Sequence, residues 1–163
     1  MEKHFAVSGF VMNQSHTKLL MVYHKKMGVW VIPGGHLEEN EYPFEGAKRE
    51  VLEETGVEAK ILDYSEVRTP ESKKEKQIPN AYITLSESIP AKGDKDAHIH
   101  MDLIYLAEAD ENADILPQED EVGGVKWMTF EEVLDSDTFD SIRQIVKRML
   151  ERGGETRCEN SDL

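Results

Sequence analysis

The chain has 163 residues, 39% hydrophobic and 32% charged, which suits one folded domain and is too apolar for a disordered chain. Lys and Arg number 19 against 33 Asp and Glu, a formal net charge of −14 that repels extended nucleic acid and anionic membrane at long range. A small phosphorylated ligand stays admissible, because a divalent cation reverses the local sign.

No apolar run approaches the roughly 20 residues of a spanning helix. The start Met1-Glu2-Lys3-His4 lacks a secretory pattern, and the single Cys158 permits no internal disulfide, so the expected location is cytoplasmic.

Residues 5–12 and 18–24 are β-prone and flank a turn, Asn13-Gln14-Ser15-His16-Thr17, which predicts a hairpin. A short strand at 29–32 stops at Pro33-Gly34-Gly35. From 42 to 55 the spacing of Phe44, Ala47, Val51 and Thr55 is helical, with Pro43 suited to the first turn and Gly56 to the position past the end. Strands are expected at 57–67, 81–85, 98–107 and 125–128, with loops at 68–80 and 110–124. Thr129 and Glu132 stand in capping-box spacing before a helix, and 141–150 is amphipathic through Ile142, Ile145, Val146 and Met149. The expected organisation is one domain over 1–150 and a polar tail over 151–163. Strands and helices mix without strict alternation, so the expected class is α+β, a mixed sheet covered by helices.

Wound at about 100° per residue, the 42–55 helix gathers Glu50, Glu53 and Glu54 on a face roughly opposite its apolar stripe. Like charges at i, i+3 and i+4 repel, so a helix built only for stability would not cluster them. Such a face is often merely solvated, but converging carboxylates also offer the hard oxygen ligands that Mg²⁺ or Mn²⁺ prefers. The surroundings favour the second reading. Gly34-Gly35 lets backbone approach a ligand closely, Glu41 stands where it can cap the helix, and Arg49 is a permanent cation beside the carboxylates.

Gly35, five residues, Glu41, seven residues, then Arg49-Glu50-Val51-Leu52-Glu53-Glu54-Thr55-Gly56-Val57 resembles the complete signature of the Nudix hydrolases. Trp30-Val31-Ile32-Pro33-Gly34-Gly35 is similar to the family's approach strand. The resemblance implies a Nudix-type α/β/α sandwich and metal-assisted hydrolysis of a diphosphate linkage in a small nucleotide. It further implies that Glu50, Glu53, Glu54 and the Gly35 carbonyl hold Mg²⁺ or Mn²⁺, that Glu50 is a candidate base, that Arg49 orients the carboxylates, and that Glu41 is structural. A homodimer is compatible with it.

Members of that family often add a carboxylate from outside the signature, and Glu119 and Glu121 of the acidic loop are the best pair here. His98, His100 and Asp102 share one strand face at period two, as substrate contacts or as a hydrogen-bonded half-buried face. Zinc held by all three would require a bend, since side chains two apart on a strand stand roughly 6–7 Å from one another. Trp30, Tyr82, Tyr105 and Trp127 are expected in the core, and Cys158 has no catalytic role.

Relatives favouring ADP-ribose tend to carry a proline about fifteen residues past the signature; Pro70 stands thirteen past Val57 (70 − 57 = 13). Lys73 and Lys74 stand where relatives acting on dinucleoside polyphosphates tend to show tyrosine. The expected substrate is therefore a nucleoside triphosphate or a nucleoside diphosphate linked to another group, with ADP-ribose or a nucleotide sugar as the alternative. A nucleotide-binding sensor that has lost turnover is the competing class, and a structural acidic domain explains the carboxylates but not their frame.

Overall fold

Residues 6–13 are buried on both faces, the signature of a strand in the middle of a sheet with layers above and below. They belong to β1 (Glu2–Asn13), in a computed structural model that describes residues 1–118, 120 and 122–153. The remaining strands are β2 (Lys18–His24), β3 (Val29–Val31), β4 (Gly34–His36), β5 (Lys60–Ile61), β6 (Ile83–Ile89), β7 (His98–Ala109) and β8 (Val122–Thr129). The helices are α1 (Pro43–Thr55), α2 (Phe130–Asp135) and α3 (Asp140–Arg152). Among the described residues no helix is long and apolar enough to cross a membrane.

Alternation along β1 sorts its side chains between two cores. Val7 and Val11 join Leu20, Tyr105 and Ala107 under Ala47 and Val51 of α1. Phe10 and Met12 point the other way, joining Leu19, Met21, Ile104 and Leu106 under Phe130, Val133, Ile142, Ile145, Val146 and Met149 of α2 and α3. The result is a mixed α+β sheet between helical layers, an α/β/α sandwich. Trp30 and Tyr82 pack on the second core and Trp127 on the first, as expected for core residues.

The predicted hairpin survives only at its turn. Asn13 Oδ1 accepts from the amides of Thr17 and Lys18 at 2.9 Å each, and β1 and β2 pair at Met12 and Leu19. Beyond that point the strands part. β1 runs parallel to β7 along its whole length, from Glu2 opposite His98 to Asn13 opposite Ala109, while β2 pairs with β3 and β8. β4 takes the vacated edge of β1, so Gly34-Gly35, expected as the stop after the 29–32 strand, is itself strand. A side chain at Gly34 would collide with Ser8 Oγ and with the Val7 carbonyl, the latter at 2.7 Å, so glycine is what permits this pairing.

Other boundaries move for local reasons. The strand expected at 57–67 shrinks to β5, because Asp63 turns its carboxylate back onto the chain. That carboxylate accepts from the Ser65 amide at 3.0 Å and from Arg68 Nη1 at 2.6 Å, a side-chain turn that ends strand pairing. The candidate at 81–85 becomes Ile83–Ile89, and β8 begins at Val122, inside the expected acidic loop. Thr129 and Glu132 do form their reciprocal cap, at 3.1 and 3.4 Å.

The sheet and α1 also approach closely at Gly9. A Cβ there would lie 2.6 Å from Val51 Cγ2, and Val51 is fully buried. Gly9→Ala is therefore expected to cost about 1–3 kcal/mol by overpacking and to lower the melting temperature by roughly 3–8 °C. Adding Val51→Ala should recover part of that loss, and strictly additive losses in the double variant would refute the clash.

Candidate active site

α1 begins where Pro43 supplies a preset φ at the first helical position and Glu45 Oε2 accepts the Tyr42 amide at 3.1 Å. Glu41, expected to cap the helix, does something else. Its carboxylate accepts the Glu38 amide at 2.9 Å and lies against Gly46, where a Cβ would come within 2.7 Å of Oε1. A helix-interior glycine costs stability; here it makes room for that carboxylate.

Arg49 grips Glu41 with two donors, Nη2 to Oε1 at 2.7 Å and Nε to Oε2 at 3.1 Å. Its Nη1 donates to Glu50 Oε1 at 2.7 Å and to Glu53 Oε2 at 3.3 Å, and Nη2 also reaches the His36 carbonyl at 3.0 Å. One guanidinium thus ties the loop before α1, the last residue of β4 and two carboxylates of the helix. The bond from Arg49 holds the Glu41 carboxyl below its ordinary range, and Glu41 in turn raises the pKa of Arg49. Glu50 goes the other way. Burial raises its pKa, and the nearby charges of Glu53 and Glu41 add to this, so Arg49 offsets only part of the rise.

Gly35 stands directly over Glu50. A Cβ on Gly35 would lie 2.5 to 2.7 Å from all three atoms of the Glu50 carboxyl group. Glu54 Oε1 accepts the Gly34 amide at 3.3 Å, which draws a second carboxylate to the same strand. The helix face and β4 therefore converge. This donor set, hard carboxylates beside backbone that only glycine permits, fits Mg²⁺ or Mn²⁺. Past the helix end, the Leu116 amide donates to the Thr55 carbonyl at 2.8 Å and the Gln118 amide to the Glu54 carbonyl at 3.3 Å. Glu119 and Glu121, the expected extra carboxylates, lie outside the described residues, as does Cys158; Asp120 is exposed.

His98, His100 and Asp102 alternate along β7 on one face, as expected, but divide between two sets of partners. His98 and His100 converge, with their Nε2 atoms 3.1 Å apart, and they do so with His4 of β1 and His36 of β4. Asp102 turns away to Ser8, whose Oγ lies 2.9 and 3.0 Å from its two oxygens. The nitrogens that converge with those of His98 and His100 come from His4 and His36, and Asp102 is not part of that group. Sequence spacing could not have found His4, His36 or Ser8, because they arrive through the parallel β1–β7 register and the β4 pairing.

Burial raises the pKa of Asp102, with the Ser8 bond opposing it. An acid whose folded pKa is raised destabilises the fold once pH exceeds the unfolded pKa, and the penalty vanishes below that value. Asp102→Asn should therefore melt higher than the parent at pH 8, with the gap closing as pH falls toward 4. A gap that widened on acidification would reverse the sign assigned to this carboxylate.

A model of the NUDIX domain matches residues 2–149. Nudix hydrolase 6 of Arabidopsis thaliana is 30% identical over 135 residues, 79% of this chain and 40% of the plant protein, so the chain spans well under two thirds of that relative's length. A NUDIX-family hydrolase from Clostridium perfringens superposes with a TM-score of 0.71 at 25% identity, covering 93% of this chain and 98% of its own. The NUDIX domain of NrtR from Shewanella oneidensis, solved with ADP-ribose, superposes at 0.61 with 18% identity, covering 93% and 89%.

Proposed function

The chain belongs to the Nudix hydrolase family, and on that premise we propose that it is a Mg²⁺- or Mn²⁺-dependent pyrophosphohydrolase cleaving a diphosphate linkage in a small nucleotide. The supporting observation is the convergence of Glu50 and Glu54 on β4, with Gly35 pressed against the Glu50 carboxyl. In this reading Glu50, Glu53, Glu54 and the Gly35 carbonyl hold the cation. When bound, the cation neutralises charge on the diphosphate oxygens and acidifies the attacking water. Arg49 keeps Glu50 and Glu53 aligned through bonds of 2.7 and 3.3 Å. Glu50 is the candidate base, because burial already biases it toward holding a proton. Glu41 anchors Arg49 and takes no proton itself. Gly35 keeps the carboxylate and the strand in contact, a placement that any side chain would disturb.

A nucleoside triphosphate or a nucleoside diphosphate joined to another group is the proposed substrate class. ADP-ribose is the second reading, favoured by the bound ligand of the NrtR domain, which has the same fold; Pro70, thirteen residues past the signature, is compatible with it without supporting it. A cleft of about 490 Å³, lined in part by Tyr64, Gln77, Asn80, Tyr82, Arg148 and Arg152, adjoins the 68–80 loop. None of the carboxylates of the signature at 35–57, the Nudix box, lines it.

Phosphate and pyrophosphate release across triphosphates, oxidised triphosphates, ADP-ribose, nucleotide sugars and dinucleoside polyphosphates tests the reading. Metal-dependent turnover of one class is expected. A nucleotide that raises the melting temperature yet yields no product across the panel would replace the enzyme with a sensor.

A further inference from the structure

The box accounts for carboxylates on the α1 side of the sheet, and leaves four of the chain's six histidines without a task. They come from three strands, His4 from β1, His36 from β4, and His98 and His100 from β7. One ring nitrogen from each lies within 4.8 Å of all the others. Ring centroids stand 4.7 Å apart for His36 and His100, 4.8 Å for His4 and His98, and 4.9 Å for His98 and His100.

Register makes this a built arrangement. His4 sits opposite His100 across the parallel β1–β7 pair, so their side chains emerge on the same face. β4 carries His36 beside Ala6, on the outer side of β1 from β7, and turns it toward the same face while Gly35 faces Glu50. His98 and His100 adjoin along one strand and bend together.

Four imidazoles brought this close are poor company as cations. Burial depresses the pKa of His36 and of His100, and the neighbouring histidines depress both further. Neutral rings carry lone pairs. His98 Nδ1 lies 3.0 Å from the Asp96 carbonyl, which only accepts, so Nδ1 is the donor there, and Nε2 faces the cluster, 3.1 Å from His100 Nε2. A backbone carbonyl holding the distal ring nitrogen is the outer support that metal-binding histidines ordinarily have.

We propose that His4, His36, His98 and His100 form a binding site for one late first-row transition cation, Zn²⁺ foremost, distinct from the Mg²⁺ or Mn²⁺ set of the box. The donor set decides the class: imidazole suits Zn²⁺, Cu²⁺ and Ni²⁺, whereas Mg²⁺ takes oxygen. At Zn–N distances of 2.0–2.1 Å, tetrahedral ligands stand about 3.3 Å apart. His98 and His100 are already at 3.1 Å, and the widest pair closes from 4.8 Å by side-chain rotation at a half-exposed surface. The bound ion joins the N-terminal half of β1 to β7 and β4, and so braces the strand that carries Gly35. On this assignment His98 and His100 serve a metal rather than the substrate directly.

Co²⁺ titration of the full chain in millimolar Mg²⁺ tests the site by visible absorption. One equivalent should saturate the strong absorption of a four-coordinate ion, Zn²⁺ should abolish it stoichiometrically, and Zn²⁺ should raise the melting temperature. His100→Gln is expected to weaken Co²⁺ binding by about 100-fold or more. His4→Gln, at the sheet margin, should do the same and decides the matter if His100→Gln fails to fold. Glu54→Gln, aimed at the box, should leave the titration unchanged, so failure of the proposed hydrolase reading and failure of this site are distinguishable. Weak six-coordinate absorption, indifference to the histidine substitutions, or loss of the signal in Glu54→Gln would each overturn the assignment.

Discussion

Replacing Glu54 by Gln is expected to lower turnover on the order of 10³-fold at saturating Mg²⁺ while leaving the metal-free fold at least as stable as the parent. The two halves of this expectation have one cause. Glu50 and Glu54 stand at i and i+4, where like charges cost a helix a few tenths of a kcal/mol, so removing one relieves repulsion. Gln keeps the shape and an acceptor for the Gly34 amide, which Glu54 Oε1 meets at 3.3 Å. What it lacks is charge. The rise in melting temperature produced by Mg²⁺ should shrink accordingly, since ligand stabilisation tracks affinity. Unchanged turnover, or a metal-free melting temperature several degrees lower, would mean that Glu54 serves the fold instead of the chemistry.

Arg49→Lys should lose activity by about 100-fold and lower the melting temperature by roughly 5 °C, although the charge is retained. Lysine is a point charge. It cannot hold Glu41 with two donors while also meeting Glu50, Glu53 and the His36 carbonyl, as the guanidinium does between 2.7 and 3.3 Å. Lysine still meets one of these carboxylates and Glu53 is half-exposed, so the net loss is about 1–2 kcal/mol. Mg²⁺ should stabilise this variant by a larger increment than the parent, because the cation then supplies positive charge that the side chain no longer delivers. Thermal melts with and without Mg²⁺, beside initial rates, read both effects. A lysine variant matching the parent in rate and melting temperature would reduce Arg49 to a surface charge.

Much of this was legible beforehand because it is written in short-range spacing. The convergence of Glu50, Glu53 and Glu54 follows from 3.6 residues per turn, the start of α1 from Pro43, and its end from Gly56, whose φ is 74°. The two cores follow from alternation along β1. Glu41 shows where local reasoning stops. Its place one residue before the helix suggested a cap, yet Arg49 lies two turns away along the same helix and offers a stronger partner than the Tyr42 amide, which Glu45 already satisfies.

Periodicity along the chain determined the class of fold and the face of α1 that carries the carboxylates, and the resemblance of residues 35–57 to the Nudix signature pointed to the family, since each depends on residues within a few turns of one another. Only the tertiary structure decided that β1 leaves its hairpin partner for β7, that Gly34-Gly35 forms a strand pressed against Glu50, and that His4 and His36 meet His98 and His100 while Asp102 turns to Ser8. Those contacts join residues up to 96 positions apart, as between His4 and His100 (100 − 4 = 96). Pairing at that range is settled by which strands bury their faces together, a competition among sheet partners that no local spacing encodes.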